Sequence, residues 1–143
     1  MIIKSKDLLT RMIQESLPEV DQITLETSPD VSSGSGVKLL LDSSKIEPVT
    51  GAISNAVVGW RIVYYPRSSE SESEAYVAYN TLIESLFDKP VWLTPEKVPF
   101  KMGDVSVVRT SEELYLKLIM STTLNKNTKH YDSMKDVNVS IGG

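Results

Sequence analysis

The sequence predicts an α+β domain in which a mainly antiparallel sheet is packed by two helices on one face. Two stretches place apolar residues at helical spacing, and several shorter stretches alternate apolar and polar residues in the manner of strands. Strands outnumber helices and most connections between them are short, which favours antiparallel pairing. We therefore expect a single domain over residues 1–124, followed by a flexible C-terminal tail over residues 125–143.

The composition limits the classes of protein to consider. With 143 residues and a hydrophobic fraction of 41%, the chain is long enough for one real core. It has no cysteine, which excludes disulfides and thiolate metal sites and fits a reducing compartment. Its net charge of −4 argues against a chain-wide electrostatic grip on DNA or RNA. No signal-peptide pattern opens the sequence, and no apolar run approaches the ~20 residues that cross a bilayer, so we expect no membrane contact.

The first predicted element is a helix over residues 5–17. Ser5 or the region of Asp7 can serve its start, and Pro18 ends it. Its apolar residues recur at helical spacing. They are Leu8, Leu9, Met12, Ile13 and Leu17.

Two strands are predicted after this helix, separated by a polar loop rich in serine and glycine. The first covers residues 22–27 and alternates apolar with polar side chains. The second covers residues 37–42, where Val37, Leu39 and Leu41 share one face.

Residues 43–59 are the least expected stretch, because a connection of this length is uncommon inside a compact domain. Two structures fit it. Its ends could lengthen the two flanking strands, or it could form a long arm that packs on another subunit, and Pro48 and Gly51 favour a bent arm over a regular strand. A solvated loop would seldom carry so many branched apolar side chains. The candidate interface residues in this stretch are Ile46, Val49, Ile53 and Val57.

A strand and a helix over residues 60–88 form the central packing unit. Trp60, Ile62 and Tyr64 point to one face of the strand. Serines and glutamates at capping-box spacing over residues 69–74 indicate the start of the helix. We predict that the apolar stripe of this helix packs on the face of the sheet that carries Trp60. The stripe consists of Ala75, Ala78, Tyr79, Leu82, Ile83 and Leu86.

Three strands are predicted after the second helix. Residues 91–94 form a short strand, residues 95–103 a proline-rich connection, and residues 104–109 another short strand. Residues 113–120 are ambiguous, since their residue types suit a helix while their strict alternation suits a strand. We favour the strand, because alternation is the more specific pattern and residues 121–123 extend it.

No stretch carries a recognisable catalytic, cofactor-binding or metal-binding pattern. His130, the only histidine, lies in the polar tail without a carboxylate or serine at a motif spacing, and a general base needs an oriented partner. Gly34 and Gly36 open no phosphate-binding loop. Glu70 and Glu72 indicate a helix start, since a calcium loop needs closely spaced ligands and a turn glycine. We therefore predict no enzyme activity, no metal and no cofactor.

One combination of elements suggests a family. A strand ends in aromatic-aromatic-Pro at residues 64–66, a Ser/Glu-rich turn follows, and a helix ends in Leu-Ile-Glu-Ser-Leu at residues 82–86. A short strand, a Gly-Asp turn at residues 103–104 and a long alternating strand over residues 114–124 complete the order. Over residues 59–124, and more weakly in the first helix, the sequence resembles the tail terminator, or tail completion, proteins of long-tailed bacteriophages and prophages.

The resemblance implies a structural virion protein. Proteins of this family form a hexameric ring that caps the last ring of tail-tube subunits, stops tube growth and presents a surface to the head-side connector. The implied partners are further copies of the chain, the tail tube protein and the connector protein, while DNA passes through the lumen without specific binding. The implied location is the tail or neck of the virion, after assembly in the host cytoplasm. A modestly acidic subunit suits such a lumen.

Two segments are candidates for contacts between subunits or with the tube. The first is the stretch over residues 43–59. The second lies in the tail, where the alternating Val137, Val139 and Ile141 could add a strand to the edge of a partner's sheet. Two other functions stay open at this point. One is a head-completion or connector adaptor protein, which lies one ring nearer the head, and the other is a small cytoplasmic binding domain with no virion role.

Overall fold

The computed structural model describes residues 1–30, 32, 34–67 and 72–125, and these residues form two helices and six strands. The predicted tail lies outside the described residues except for Asn125. The helices are α1 (Ile2–Ser16) and α2 (Ser73–Asp88). The strands are β1 (Gln22–Leu25), β2 (Gly36–Pro48), β3 (Ile53–Tyr65), β4 (Val91–Leu93), β5 (Pro99–Arg109) and β6 (Leu114–Asn125).

The six strands belong to one sheet with the order β1-β2-β3-β6-β5-β4. β1 and β2 pair in parallel, and every other neighbouring pair is antiparallel. β3 lies in the middle and pairs with β2 along its whole length, from Ser54 opposite Pro48 to Tyr65 opposite Gly36. The α+β fold with a mainly antiparallel sheet, which the sequence predicts, is confirmed.

Both helices pack on the same face of the sheet and enclose the core with it. The predicted packing of Leu82 and Leu86 with Trp60 and Ile62 is confirmed, because all four are buried in one cluster. The stripe of α1 faces the same cluster. Its buried apolar members are Leu8, Leu9, Met12 and Ile13. Partly buried residues that border the core include Ile23, Tyr64, Ile83, Val98 and Val105.

A buried serine ties α1 to the sheet. The indole N–H of Trp60 donates to Ser5 Oγ (3.0 Å), and that hydroxyl donates to the Ile2 carbonyl (2.8 Å). The prediction that Ser5 or Asp7 caps the helix is therefore wrong. The helix begins at Ile2, with Met1 at the capping position and no side-chain hydrogen bond that caps the helix. Ser5 lies inside the helix, where its hydroxyl gives the buried indole N–H of Trp60 an acceptor.

β5 is longer than predicted, because part of the proline-rich connection joins it. The strand begins at Pro99, a position where the missing backbone N–H is tolerated. Gly103 and Asp104, predicted as a turn, lie inside the strand at a register shift between Met102 and Val105. A bulge of this kind absorbs extra residues within the ladder, so these two residues bend the strand and do not end it.

The strand chosen for the ambiguous stretch before the tail is confirmed. β6 buries alternate side chains on the face that carries the helices, and they are Leu114, Leu116, Leu118 and Met120. β1 is shorter than predicted. It ends at Leu25 because Glu26 adopts a φ of 66°, a left-handed conformation that cannot continue a strand.

Candidate functional site

The stretch over residues 43–59 is the outer half of a regular hairpin. β2 continues to Pro48 and β3 begins at Ile53, so the chain reverses over residues 49–52. The amide of Thr50 donates to the Ile53 carbonyl (2.9 Å) and helps to close the reversal. The prediction of a bent arm is therefore wrong, and the ends of the stretch lengthen the flanking strands. Pro48 is compatible with this because it lies at the end of an edge strand, where no N–H is needed.

The apolar residues predicted as an interface lie on this hairpin but not on one face of it. Ile46 and Val49 are 56% and 57% exposed, and Ile53 is 36% exposed. Ile46 pairs with Ala56, whose side chain points to the helical side, whereas Ile53 and Val57 point to the opposite side. Val57 is half-buried and Ala56 is buried. The exposed apolar surface is therefore concentrated in Ile46, Val49 and Ile53, which we call the hairpin tip.

The outer edge of the hairpin has no strand partner within the described residues. β1 pairs with β2 only as far as Leu25 opposite Leu39. Beyond that point β2 carries a register shift, an ion pair between Lys45 and Glu47 (2.8 Å), and Pro48. Bulges, charges and prolines are devices that keep an edge strand from pairing indiscriminately. This edge is therefore exposed and at the same time protected against nonspecific pairing.

The face of the sheet opposite the helices, which we call the open sheet face, is basic although the chain is acidic. Strand register and ion pairs place five cationic and three anionic side chains on it. The other described residues hold 13 acidic and 7 basic side chains, so the open sheet face differs in charge from the rest of the described residues. The cations of the open sheet face are Lys38, Lys45, Arg61, Lys101 and Lys117, and its anions are Asp42, Glu47 and Glu113.

Two cations share one carboxylate at the centre of the open sheet face. Asp42 accepts from Arg61 Nε (3.0 Å) and lies 3.4 Å from Lys117 Nζ. The Arg61 guanidinium also lies over the Tyr115 ring, 4.6 Å from its centroid. Arg61 covers the aromatic ring while it keeps its charged end in contact with water. The centre therefore has one more positive than negative charge, and both cations are partly exposed.

A third cation on the open sheet face, Lys38, is held between β3 and the start of β6. Its Nζ lies 3.6 Å from a Glu113 carboxylate oxygen and 5.6 Å from the centroid of the Tyr65 ring. The hydrogen bond to the Tyr65 side chain, and after it Glu113, raises the pKa of Lys38 above its ordinary value of 10.5. Lys38 therefore remains a cation throughout the physiological pH range.

The C-terminal end of α2 carries the most exposed large apolar side chain of the described residues. Phe87 is 89% exposed and lies between Glu84 and Asp88. Neither acidic residue has an ion-pair partner within the described residues, although Asn80 donates to Glu84 Oε2 (3.4 Å). We did not predict this feature from the sequence. The signal for it is a pair of like charges at i and i+4 in the last turn of a helix.

The remaining observations concern metal, membrane and known relatives. Among the described residues, no group of three or more His, Asp or Glu side chains could hold a metal ion, and no helix is long and apolar enough to cross a membrane. His130, Val137, Val139 and Ile141 lie outside the described residues, so their roles stay predictions. No protein-family model matches the sequence, and no curated protein matches it.

Proposed function

We propose that this chain is a structural protein of a bacteriophage neck, which forms a ring on the end of the tail tube. In this role it stops tube growth, presents the surface that joins the head-side connector, and is assembled in the host cytoplasm into the virion. The observation that carries the proposal is the hairpin tip. β3 and β6 remain paired as far as Ile53 opposite Asn125, whereas the ladder between β5 and β6 ends at Lys101 opposite Ser121. The Thr122 hydroxyl still donates to the Pro99 carbonyl at the start of β5 (2.7 Å), so the hairpin extends past β5 only beyond Thr122.

The exposed tip supports an assembly role because its apolar side chains gain little in the isolated chain. Burial of a branched side chain stabilises a contact by about 1.5–3 kcal/mol relative to exposure. Ile46, Val49 and Ile53 realise only part of this gain, since each keeps at least 36% of its surface exposed. A neighbouring subunit or the tube protein would bury the rest. A head-to-tail contact of this kind generates a ring when the rotation between subunits closes.

The charge distribution is compatible with DNA that moves past the ring without being held. Arg61, Lys117 and Lys38 are each near a carboxylate, which reduces the net attraction to phosphates. The net charge of −4 acts in the same direction. In the proposed ring, DNA is therefore a passing occupant of the lumen and not a specific ligand.

The proposal is tested by replacing Ile46, Val49 and Ile53 together with serine. Val57 is left intact because it is half-buried and belongs to the packing of the hairpin. The expected result is a nearly unchanged melting temperature and loss of tube capping, measured by negative-stain microscopy of tube protein assembled with and without the variant. The matched control replaces Ile2 and Ile3, which are exposed on α1, with serine and should still cap tubes.

The outcomes for the variant test the hairpin tip, and binding by the wild-type chain separates the three candidate functions. Unfolding of the triple variant would show that the tip belongs to the core, and capping by that variant would exclude the tip as the contact. Binding of the wild-type chain to the connector protein but not to the tube would favour the adaptor protein, one ring nearer the head. Binding to neither would favour a small binding domain with no virion role.

The tail is tested separately. Replacement of Val137, Val139 and Ile141 with serine should leave the melting temperature unchanged and weaken ring formation, if these residues add a strand to the edge of another copy. Sedimentation velocity of the variant beside the wild-type chain measures the effect. Equal sedimentation of the two proteins would remove the tail from the interface.

A further inference from the structure

The end of α2 breaks two rules for a stable isolated helix. Glu84 and Asp88 lie four residues apart on one side of the helix, where like charges repel. Both lie near the C-terminus, whose partial negative charge favours cations, and no basic residue occurs within α2. The nearest cation in the chain, Lys89 at the C-cap, lies over the Trp92 ring, 4.2 Å from its centroid. Phe87, between Glu84 and Asp88, is 89% exposed. Features that cost local stability without a local benefit indicate a contact made elsewhere.

The open sheet face has the complementary character. Arg61 and Lys117 share the single carboxylate of Asp42, which leaves one positive charge without a counter-charge at the centre of this face. Half-buried Ile119 is the next residue of β6 on the same face as Lys117, and half-buried Val57 lies further along that face toward the hairpin tip. An exposed aromatic ring flanked by carboxylates would find both apolar contact and charge compensation on such a surface.

We propose that the end of α2 in one copy of the chain binds the open sheet face of the next copy, with Phe87 as the apolar anchor and Glu84 and Asp88 opposite Arg61 and Lys117. The two surfaces differ, so the contact is heterologous and each copy offers one free surface of each kind. A heterologous contact continues from copy to copy and closes into a ring or grows into a filament. This deepens the proposed function by naming a subunit contact of the ring, and it rests on that function only for the closure of the ring.

A second copy fits this surface better than a nucleic acid does. The binding element on α2 is acidic and apolar, and the receiving face is basic and apolar, so the chain supplies both halves of a complementary pair. A nucleic acid would match only the cations of the open sheet face. It would leave Phe87, Glu84 and Asp88 unexplained.

The test uses two variants that each block one surface. Phe87→Ser removes the anchor, and Lys117→Glu reverses one charge on the open sheet face. Sedimentation velocity should show concentration-dependent association of the wild-type chain and about 10-fold or more weaker association of each variant. An equimolar mixture of the two variants should form a 1:1 dimer and nothing larger, because each still has one intact surface. The control Ile3→Ser changes an exposed apolar residue on α1 and should associate like the wild type.

Circular dichroism melts establish that each variant is folded, and Lys117→Gln replaces Lys117→Glu if the charge reversal unfolds the chain. Association should weaken between about 0.05 M and about 0.5 M salt, because part of the contact is between exposed charges. Three results would overturn the proposal: a wild-type chain that is monomeric up to about 1 mM, unchanged association of both folded variants, or no dimer in their mixture. A Lys117→Glu variant that loses binding to duplex DNA and keeps self-association would also overturn it, in favour of a nucleic-acid surface. Tube capping is scored separately, so association without capping would count against the proposed function alone.

Discussion

Removal of the Tyr79 hydroxyl should test the packing of α2 on the sheet most clearly. The side chain is 1% exposed. Its Oη accepts a hydrogen bond from the Tyr64 amide (2.8 Å) and donates one to the Leu114 carbonyl (2.7 Å). The ladder between β3 and β6 ends at Ile62 opposite Leu116, and continuation of this register would place Tyr64 opposite Leu114. The hydroxyl therefore bridges the two strands at the next position of the ladder.

The expected loss for Tyr79→Phe is worked from these two hydrogen bonds. A typical intramolecular hydrogen bond contributes about 1 kcal/mol net, and a buried donor or acceptor left unsatisfied costs about 1–3 kcal/mol. Phenylalanine keeps the apolar volume of the ring, so no large cavity term is added. The free energy of unfolding should therefore fall by about 2–4 kcal/mol, a large fraction of the ~5–15 kcal/mol typical of a domain.

Equilibrium unfolding in urea measures this loss, with Tyr76→Phe as the control on the same helix. Tyr76 is 49% exposed, and its substitution should change the free energy of unfolding by less than about 0.5 kcal/mol. Hydrogen exchange should also become faster at the Tyr64 amide in Tyr79→Phe. A loss below about 0.5 kcal/mol with unchanged exchange would refute the bridging role, because the two strands would then satisfy their own polar groups.

Three further predictions concern the core, the response to pH and a close backbone contact. Leu82→Ala should destabilise the fold by about 2–5 kcal/mol in denaturant melts, against little change for the exposed Val77→Ala, and a loss under about 0.5 kcal/mol would place the stripe of α2 elsewhere. Burial raises the pKa of Tyr79 above its ordinary value of 10.0, so the unfolded chain loses this proton first. Stability should therefore fall as the pH rises above about 10, and less steeply in Tyr79→Phe; parallel pH profiles of the two proteins would contradict this. Gly36→Ala places a Cβ 2.4 Å from Pro29 Cβ and should lower the melting temperature, whereas an unchanged value would mean that the loop moves freely.

Several elements could be predicted from local patterns because their faces are set by chain periodicity. The stripe of α2 and the alternation of β6 each describe one buried face, and both faces meet in the core. The helix and strand periods of 3.6 and 2 residues decide which side chains share a face before any partner is known. The α+β class follows from the number and order of these elements.

Other elements could not be predicted because a distant partner decides them. The sequence predicts Ser5 as a helix cap, but in the structure Ser5 is buried and accepts a hydrogen bond from the indole of Trp60. Gly103 and Asp104 read as a turn, but the ladder with β6 carries β5 through them as a bulge. The hairpin over residues 43–59 is regular because β6 supports β3 almost to its tip, and this pairing joins residues far apart in the chain.

The sequence by itself determined the class of fold, the two helical stripes and the apolar residues that lie on the hairpin. Only the tertiary structure decided that Ile46 and Ile53 lie on opposite sides of that hairpin, and that Arg61, Lys117 and Asp42 meet on one open face. The physical reason is strand register. Local periodicity tells which residues of one strand share a face, but the pairing of separate strands sets which charges become neighbours across the sheet.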